Sequence, residues 1–213
     1  MLNESLLAKE LRQWSKDVLE KPNKKFNNLP ACPFTKLTWD KNKAKVVLGE
    51  GGLWEDLIQL IENFDDTYDV IIYCGTDIDI VDSTEVENRL KTLNDWIVKD
   101  NLWVMGSHPE TDEDNHAASQ EDFEPIVQDS YYTVYLQRLD MLVKASDSIE
   151  RKGYYKNYSS DNYNKLIKAR RKKWLELKSQ MLKRNLCQEW QAVVKHLLRK
   201  NLCQVWQVAV SHL

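Results

Sequence analysis

Three short apolar runs, each ending in turn-forming residues, constrain this chain more than any other feature. They are Lys45–Leu48 before Gly49, Val70–Cys74 before Gly75, and Leu102–Met105 before Gly106. A brief apolar run that is bounded by turn formers is typical of a buried β-strand. The sequence therefore predicts three buried strands.

Two amphipathic helices are predicted between these strands. Their apolar stripes are Leu53, Leu57, Leu60, Ile61 and Phe64 in one, and Val86, Leu90, Leu93, Trp96 and Ile97 in the other. Strands that alternate with helices favour parallel pairing, because each crossover returns the chain to the same end of the sheet. We therefore expect an α/β fold: a small, mainly parallel sheet of three to four strands flanked by helices, plus a basic α-helical C-terminal tail.

Further helices are predicted on either side of this core. Helical spacing of apolar residues indicates a first helix from Asn3 or Ser5 to about Glu20. A long polar loop, about Glu110–Asp129, precedes a predicted helix at about Ser130–Arg151. The inward positions of that helix are Val134, Leu136, Leu139, Leu142 and Val143.

Charge divides the 213 residues into two parts, although the net charge is only −3. Residues 151–213 carry 15 basic and 3 acidic residues, a net of +12, which leaves 15 basic and 30 acidic residues in 1–150, a net of −15. Such asymmetry favours separate modules. We expect an acidic α/β domain at 1–151, a linker at 152–160 and a basic helical tail at 161–213.

Composition narrows the class of protein. A hydrophobic content of 42% is typical of a globular chain, and no apolar run approaches the ~20 residues that cross a bilayer. The amphipathic, charged N-terminal stretch does not resemble a secretory signal, so a cytoplasmic location is expected. The four cysteines are then expected to be free thiols. They are Cys32, Cys74, Cys187 and Cys203.

Polar residues at the predicted strand ends form the first candidate site. If the strands are parallel, their end loops share one edge of the sheet, where open α/β folds usually bind ligands. There His108 is a candidate base or ligand and Asp77 a candidate acidic partner. The alternative is that His108 only makes hydrogen bonds within its loop.

Two further chemistries are open near this edge. Asp112, Asp114 and His116 could bind a divalent metal, although an acidic run is also typical of a solvated loop. Cys32 could act as a nucleophile if a base lowered its pKa, or could be a small buried apolar residue. The cofactor, if any, stays undetermined.

The C-terminal tail carries the second candidate site. A basic cluster, Lys165–Lys173, precedes Trp174 and is a candidate for docking an acidic partner, nucleic acid or an anionic membrane surface. The same charges could instead dock onto the chain's own acidic module. The interaction residues are Arg170, Arg171, Lys172, Lys173 and Trp174.

A tandem duplication follows the basic cluster. Residues 182–197 and 198–213 are identical at ten of sixteen positions, including Trp190 and Trp206. Sixteen residues of helix rotate by about 160°, so the two copies face opposite sides if one helix continues through both. Either the chain folds back near Leu198–Asn201 or the helix is apolar on two sides. Self-association through the two tryptophan faces is a further prediction.

Several short motifs together resemble an uncharacterised bacterial family, the domain of unknown function numbered fourteen-fifteen. Its Cys-Pro-Phe, His-Pro and Tyr-x-Thr-x-x-Leu-x-Arg motifs match Cys32–Phe34, His108–Pro109, and Tyr131, Thr133, Leu136 and Arg138. The departures are Ser107, Tyr132, Tyr135 and Leu139. The likeness spans about residues 6–150.

The resemblance implies that Cys32, His108 and Arg138 meet in space. That family has no established activity, and the departures remove a histidine and a glutamate from its helix motif. Two hypotheses follow. One is a small-molecule or metal-assisted enzyme, or a degenerate relative, with Arg138 and Tyr131 binding an anionic substrate. The other is a binding protein that uses its basic tail.

Overall fold

The computed structural model describes residues 3–49, 52–76, 82–109 and 131–210, and for 192–194 and 196–210 it describes the backbone alone. Its N-terminal helix α1 (Glu4–Trp14) is capped by Asn3, whose side chain accepts from the amide of Leu6 at 3.0 Å. A π-helical turn, Ser15–Leu19, extends it. The predicted first helix is therefore confirmed.

All three predicted strands are present, together with the helices between them. After a small hairpin come α2 and the alternating elements of the core. The bounds are β1 Pro22–Asn23, β2 Leu29–Pro30, α2 Thr35–Asp40, β3 Ala44–Gly49, α3 Leu53–Glu62, β4 Val70–Gly75, α4 Ser83–Ile97 and β5 Leu102–Ser107.

The region predicted as one helix, about Ser130–Arg151, is instead a strand followed by a helix. Strand β6 covers Tyr132–Arg138, and α5 covers Leu139–Glu150. Along β6 apolar residues alternate as in a strand, and the chain pairs on both sides, so pairing overrides the local helical spacing. The predicted helix is therefore wrong over its first half.

The four-stranded sheet has the order β3-β4-β6-β5 and is mixed. Strand β3 pairs in parallel with β4, whereas β6 pairs antiparallel with both β4 and β5. The expectation of a mainly parallel sheet is not confirmed, because β6 separates β4 from β5. The fold class is nevertheless α/β, and β3, β4 and β5 run in the same direction.

Both faces of the sheet are covered. Helices α3 and α4 pack on one face through Leu57, Leu90 and Ile97, against Val104 and Leu136. Helix α1 packs on the other face, where the buried residues are Leu7, Leu11, Val46, Ile72 and Cys74. Strands covered on both sides explain the nearly continuous apolar runs in the sequence.

The predicted linker at 152–160 is packed. Tyr154 stacks on Phe26 with ring centroids 4.7 Å apart, and Tyr155 and Tyr158 pack beside them. The chain divides into two compact units, 1–174 and 175–213, and this division lies later than the charge boundary. The burial of Tyr154, Ile167 and Arg170 accounts for the difference.

The C-terminal part is helical. Helix α6 (Ser160–Asn162) and a π-helical segment, Tyr163–Lys168, precede α7, which runs unbroken over Ala169–Val210. Of the two alternatives for the duplication, the continuous helix is the one observed. Among the described residues, no helix is both long and apolar enough to cross a membrane.

Candidate functional site

The carboxyl ends of β3, β4 and β5 lie at one edge of the sheet, beside the start of β6. The register places Gly49 beside Gly75 and Gly75 beside Tyr132. His108, which follows β5 directly, is only 1% exposed. Asp77, the second residue expected at this edge, lies outside the described residues, as do Asp112, Asp114 and His116.

A row of buried side chains closes this edge on the side of α3 and α4. The His108 ring stacks on Tyr132 at 6.0 Å, and Tyr132 lies 6.3 Å from Tyr73. The Tyr73 hydroxyl donates to Asp56 in α3 at 3.0 Å. The imidazole is thus held in a packed aromatic row.

Sequence reasoning did not single out Tyr73, Tyr132 or Asp56. The usable signal in the sequence was the glycine at the end of each strand. An added Cβ at Gly49 would overlap the ring of Tyr73, and one at Gly75 would overlap the ring of Tyr132. Aromatic side chains that cover a neighbouring strand's glycine are a known way to stabilise sheets. The glycines at the strand ends therefore make room for the tyrosines.

Arg138 lies at the opposite end of the sheet from His108. It pairs with Leu102, at the start of β5, whereas His108 follows Ser107 at the end of that strand. Leu102 and Ser107 are separated by five residues, roughly 17 Å of strand. Its guanidinium binds Asp66 at 2.6 Å and lies over the Phe64 ring at 5.1 Å. The expectation that Arg138 and His108 share one pocket is therefore wrong, because β6 runs antiparallel.

Cys32 and Tyr131 lie on the face of the sheet that α1 covers. The amide of Cys32 donates to the Leu19 carbonyl at 3.0 Å, and the Tyr131 hydroxyl donates to Glu10 at 2.9 Å. Burial raises the pKa of the Cys32 thiol, and the amides of Phe34 and Thr35 offset this effect only in part. This environment does not favour the thiolate that a nucleophile requires.

No metal site is evident in the part of the chain that the structure describes. There, no three His, Cys, Asp or Glu side chains lie together in a way that would hold an ion.

The basic cluster at the start of α7 binds the chain's own acidic part. Arg171 forms ion pairs with Asp147 at 2.8 Å and Glu150 at 2.6 Å, and Lys173 pairs with Asp95 at 2.6 Å. The contact of these cations with the chain's own carboxylates, which the sequence left open, is thus the arrangement observed.

The remaining members of the cluster differ in exposure. Arg170 is 5% exposed and donates to the Ser146 hydroxyl at 2.5 Å, and burial lowers its pKa. Trp174 is half-buried, and Lys172 is exposed. The exposed positive charge of the cluster therefore comes from Lys165, Lys168 and Lys172.

An exposed apolar stripe follows on α7. Leu182, Leu186 and Trp190 are 55%, 57% and 69% exposed. Their spacing of four residues places them on one side of the helix. We name these residues, with the positions of Val193 and Leu197 in sequence, the first stripe; the corresponding positions of the second copy, Leu198, Leu202, Trp206 and Ala209, are the second stripe.

Comparison of the chain with protein-family models, curated proteins and solved structures finds no match. The resemblance to the bacterial family therefore stays a prediction, and the site must be judged on its own geometry.

Proposed function

We propose that this chain is a non-enzymatic interaction protein that assembles with further copies of itself through α7. The observation that carries the proposal is the first stripe, a row of large apolar side chains left exposed on a regular helix. Burying a side chain of this size contributes roughly 1.5–3 kcal/mol, so the row represents a substantial gain on association. In this proposal the α/β unit is the scaffold that α7 connects to other copies.

Nucleic acid is a less suitable partner. Phosphate binding requires free lysine and arginine side chains. In the basic cluster, Arg171 and Lys173 bind carboxylates and Arg170 is buried, so half of the six cations are left to contact phosphate: Lys165, Lys168 and Lys172. The large apolar side chains of the first stripe have no role in contacts to phosphate.

A membrane surface is also a less suitable partner. An interfacial helix lies flat, with one apolar side in the headgroup region. Because α7 continues through the duplication, the second stripe falls on the other side of the helix, about 160° away. A flat surface can contact only one stripe at a time.

A second copy of the chain fits the stripe in length and composition. The first stripe spans sixteen residues, about 24 Å of helix, the second spans twelve residues, about 18 Å, and both have Leu, Leu and Trp at matching positions. Helices with such apolar rows pack by interdigitating their side chains.

The single pocket expected to hold both His108 and Arg138 does not support an enzyme in the described part of the chain. His108 and Arg138 lie at opposite ends of the sheet, and Cys32 lies on the other face from the ring that His108 contacts. We therefore do not assign a reaction.

Sedimentation equilibrium of the full chain tests the proposal. The mean mass should rise with protein concentration, and the double variant Leu186→Asp/Trp190→Asp should lower it at each concentration. The matched control is Asn185→Asp/Ala192→Asp, which adds the same charge on the flank of the helix between the two stripes and should behave as the wild type. A wild-type chain that stays monomeric throughout would contradict self-assembly.

Salt dependence separates this mode of binding from charge-driven docking. Residues 182–197 carry three basic residues and one acidic residue, so contacting copies repel one another weakly. Salt screens such repulsion and also strengthens apolar burial. Association should therefore increase with ionic strength, whereas docking of the tail onto an acidic surface should weaken.

A further inference from the structure

The sequence positions of the two stripes fall on opposite sides of one continuous helix. Helix α7 extends without interruption through residues 197 and 198, where the copies join. Sixteen residues at about 100° each amount to four turns plus about 160°. The second stripe is therefore placed almost directly behind the first and one copy length further along.

From this geometry we infer that the assembly is open-ended and does not close at a dimer. The inference rests on the proposed function. A partner helix lies on one side of α7, so it can cover one stripe only, in either parallel or antiparallel orientation. The positions of the other stripe are then on the side of the helix that the partner leaves uncovered, so we expect a third copy to bind there. Interfaces that do not close on themselves produce linear assemblies.

The size of each contact is compatible with reversible growth. Trp buries roughly 150–250 Å² and the neighbouring aliphatic residues somewhat less, so one stripe-to-stripe contact buries about 1,000 Å² in total. This area lies at the low end for specific interfaces, and crystal-packing contacts are mostly smaller. We therefore expect mass to depend steeply on concentration.

Three sets of full-length variants test the inference. Leu186→Asp/Trp190→Asp removes the first stripe, and Leu202→Asp/Trp206→Asp removes the second. An Ala-Ala insertion between Leu197 and Leu198 adds about 200° of rotation, which brings both stripes to the same side while both are retained. Circular dichroism of each variant checks that the helix is intact.

The expected results differ between the variants. At the highest concentration, sedimentation should give the wild type about twice the mass of a dimer or more. Each single-stripe variant should reach a dimer at most. The insertion variant should form a dimer that grows no further, because two copies can then cover both stripes together.

The outcomes that overturn the inference are distinct from failure of the proposed function. A wild-type chain that associates but stops at a dimer overturns open-ended growth and leaves self-assembly standing. Growth of the insertion variant beyond a dimer also overturns it, since the sidedness of the stripes would then be irrelevant. A monomeric wild type contradicts the proposed function itself.

Discussion

At the scale of single residues, Asn94 protects a free sheet edge. Among the described strands, β5 pairs with β6 alone, and on its other side Asn94 in α4 pairs with the backbone of Val104. The side-chain amide donates to the Val104 carbonyl at 2.9 Å, and the Val104 amide donates to Asn94 at 2.8 Å. Both groups are buried, so the asparagine replaces a missing strand.

Replacing Asn94 by alanine should lower the free energy of unfolding by about 2–4 kcal/mol, because two buried backbone groups lose their partners. Urea unfolding followed by circular dichroism measures the loss. The exposed Asn88 of the same helix gives the control, Asn88→Ala, which should change stability by less than about 0.5 kcal/mol. Equal stability of the two variants would contradict this role for Asn94.

The buried charge of Arg170 shows where sequence reasoning reaches its limit for single residues. A run of arginines and lysines predicted a binding surface, yet Arg170 lies inside the first unit beside Ser146 and Met105. The residue types were identified correctly as basic. Which of them find an internal partner depends on α5, whose position cannot be deduced from local spacing.

At the scale of elements, the strand ends are fixed by contacts between glycine and tyrosine. Tyr73 lies over Gly49 of the neighbouring strand and is held there by Asp56. The ring belongs to the packed core between the sheet and α3, so it has little space to move.

The variant Gly49→Ala should lose about 1–3 kcal/mol of stability, because the new methyl group displaces the Tyr73 ring. Gly52→Ala is the matched control: there an added Cβ meets only the Glu55 side chain at 3.6 Å. Thermal unfolding of both variants compares them directly. Similar melting temperatures would show that the Tyr73 ring adapts without cost.

The sequence predicted the elements with long apolar patterns on one side. The prediction was wrong where the same residues fit both the two-residue period of a strand and the helical period of about 3.6 residues. Strands β3, β4 and β5 and helices α3 and α4 are signalled by their own residues. In β6, Val134 and Leu136 fit a strand, but with Leu139 and Val143 they also fit a helix. The choice is made by pairing with β4 and β5, whose paired residues are at least 57 and at least 26 positions away along the chain. The misassigned strand also caused the error about Arg138, whose position depends on the direction of β6.

At the scale of the whole molecule, buried tyrosines make stability sensitive to alkaline pH. Burial raises the pKa of Tyr135 to about 12, and it raises the pKa of Tyr154, Tyr155 and Tyr158 as well. The folded state therefore holds these protons more tightly than the unfolded chain, in which tyrosine has a pKa of about 10. Their contribution is complete below about pH 10 and is lost as the pH rises toward the folded values.

Tyr135→Phe should reduce this alkaline loss of stability by about 1.4 kcal/mol at about pH 11, because a group with a two-unit pKa shift no longer titrates. Urea unfolding at neutral and alkaline pH measures the difference between variant and wild type. The two proteins should lose stability at different rates above about pH 10. Parallel losses would show that Tyr135 ionises as easily in the folded as in the unfolded state.

The order of strands has a consequence for synthesis. Strand β6 is the last of the described strands of the sheet to be made, yet it lies between β4 and β5 and pairs with both. Until Arg138 has been added, the growing chain has no complete β6 to pair with β4 and β5, so the backbone hydrogen-bonding groups on their facing edges lack this partner. Such unpaired edges attract foreign strands. The sheet is therefore completed only when its last strand, β6, inserts between two strands made earlier. A pause in synthesis before Tyr132 prolongs the stage at which the edges of β4 and β5 are open to aggregation.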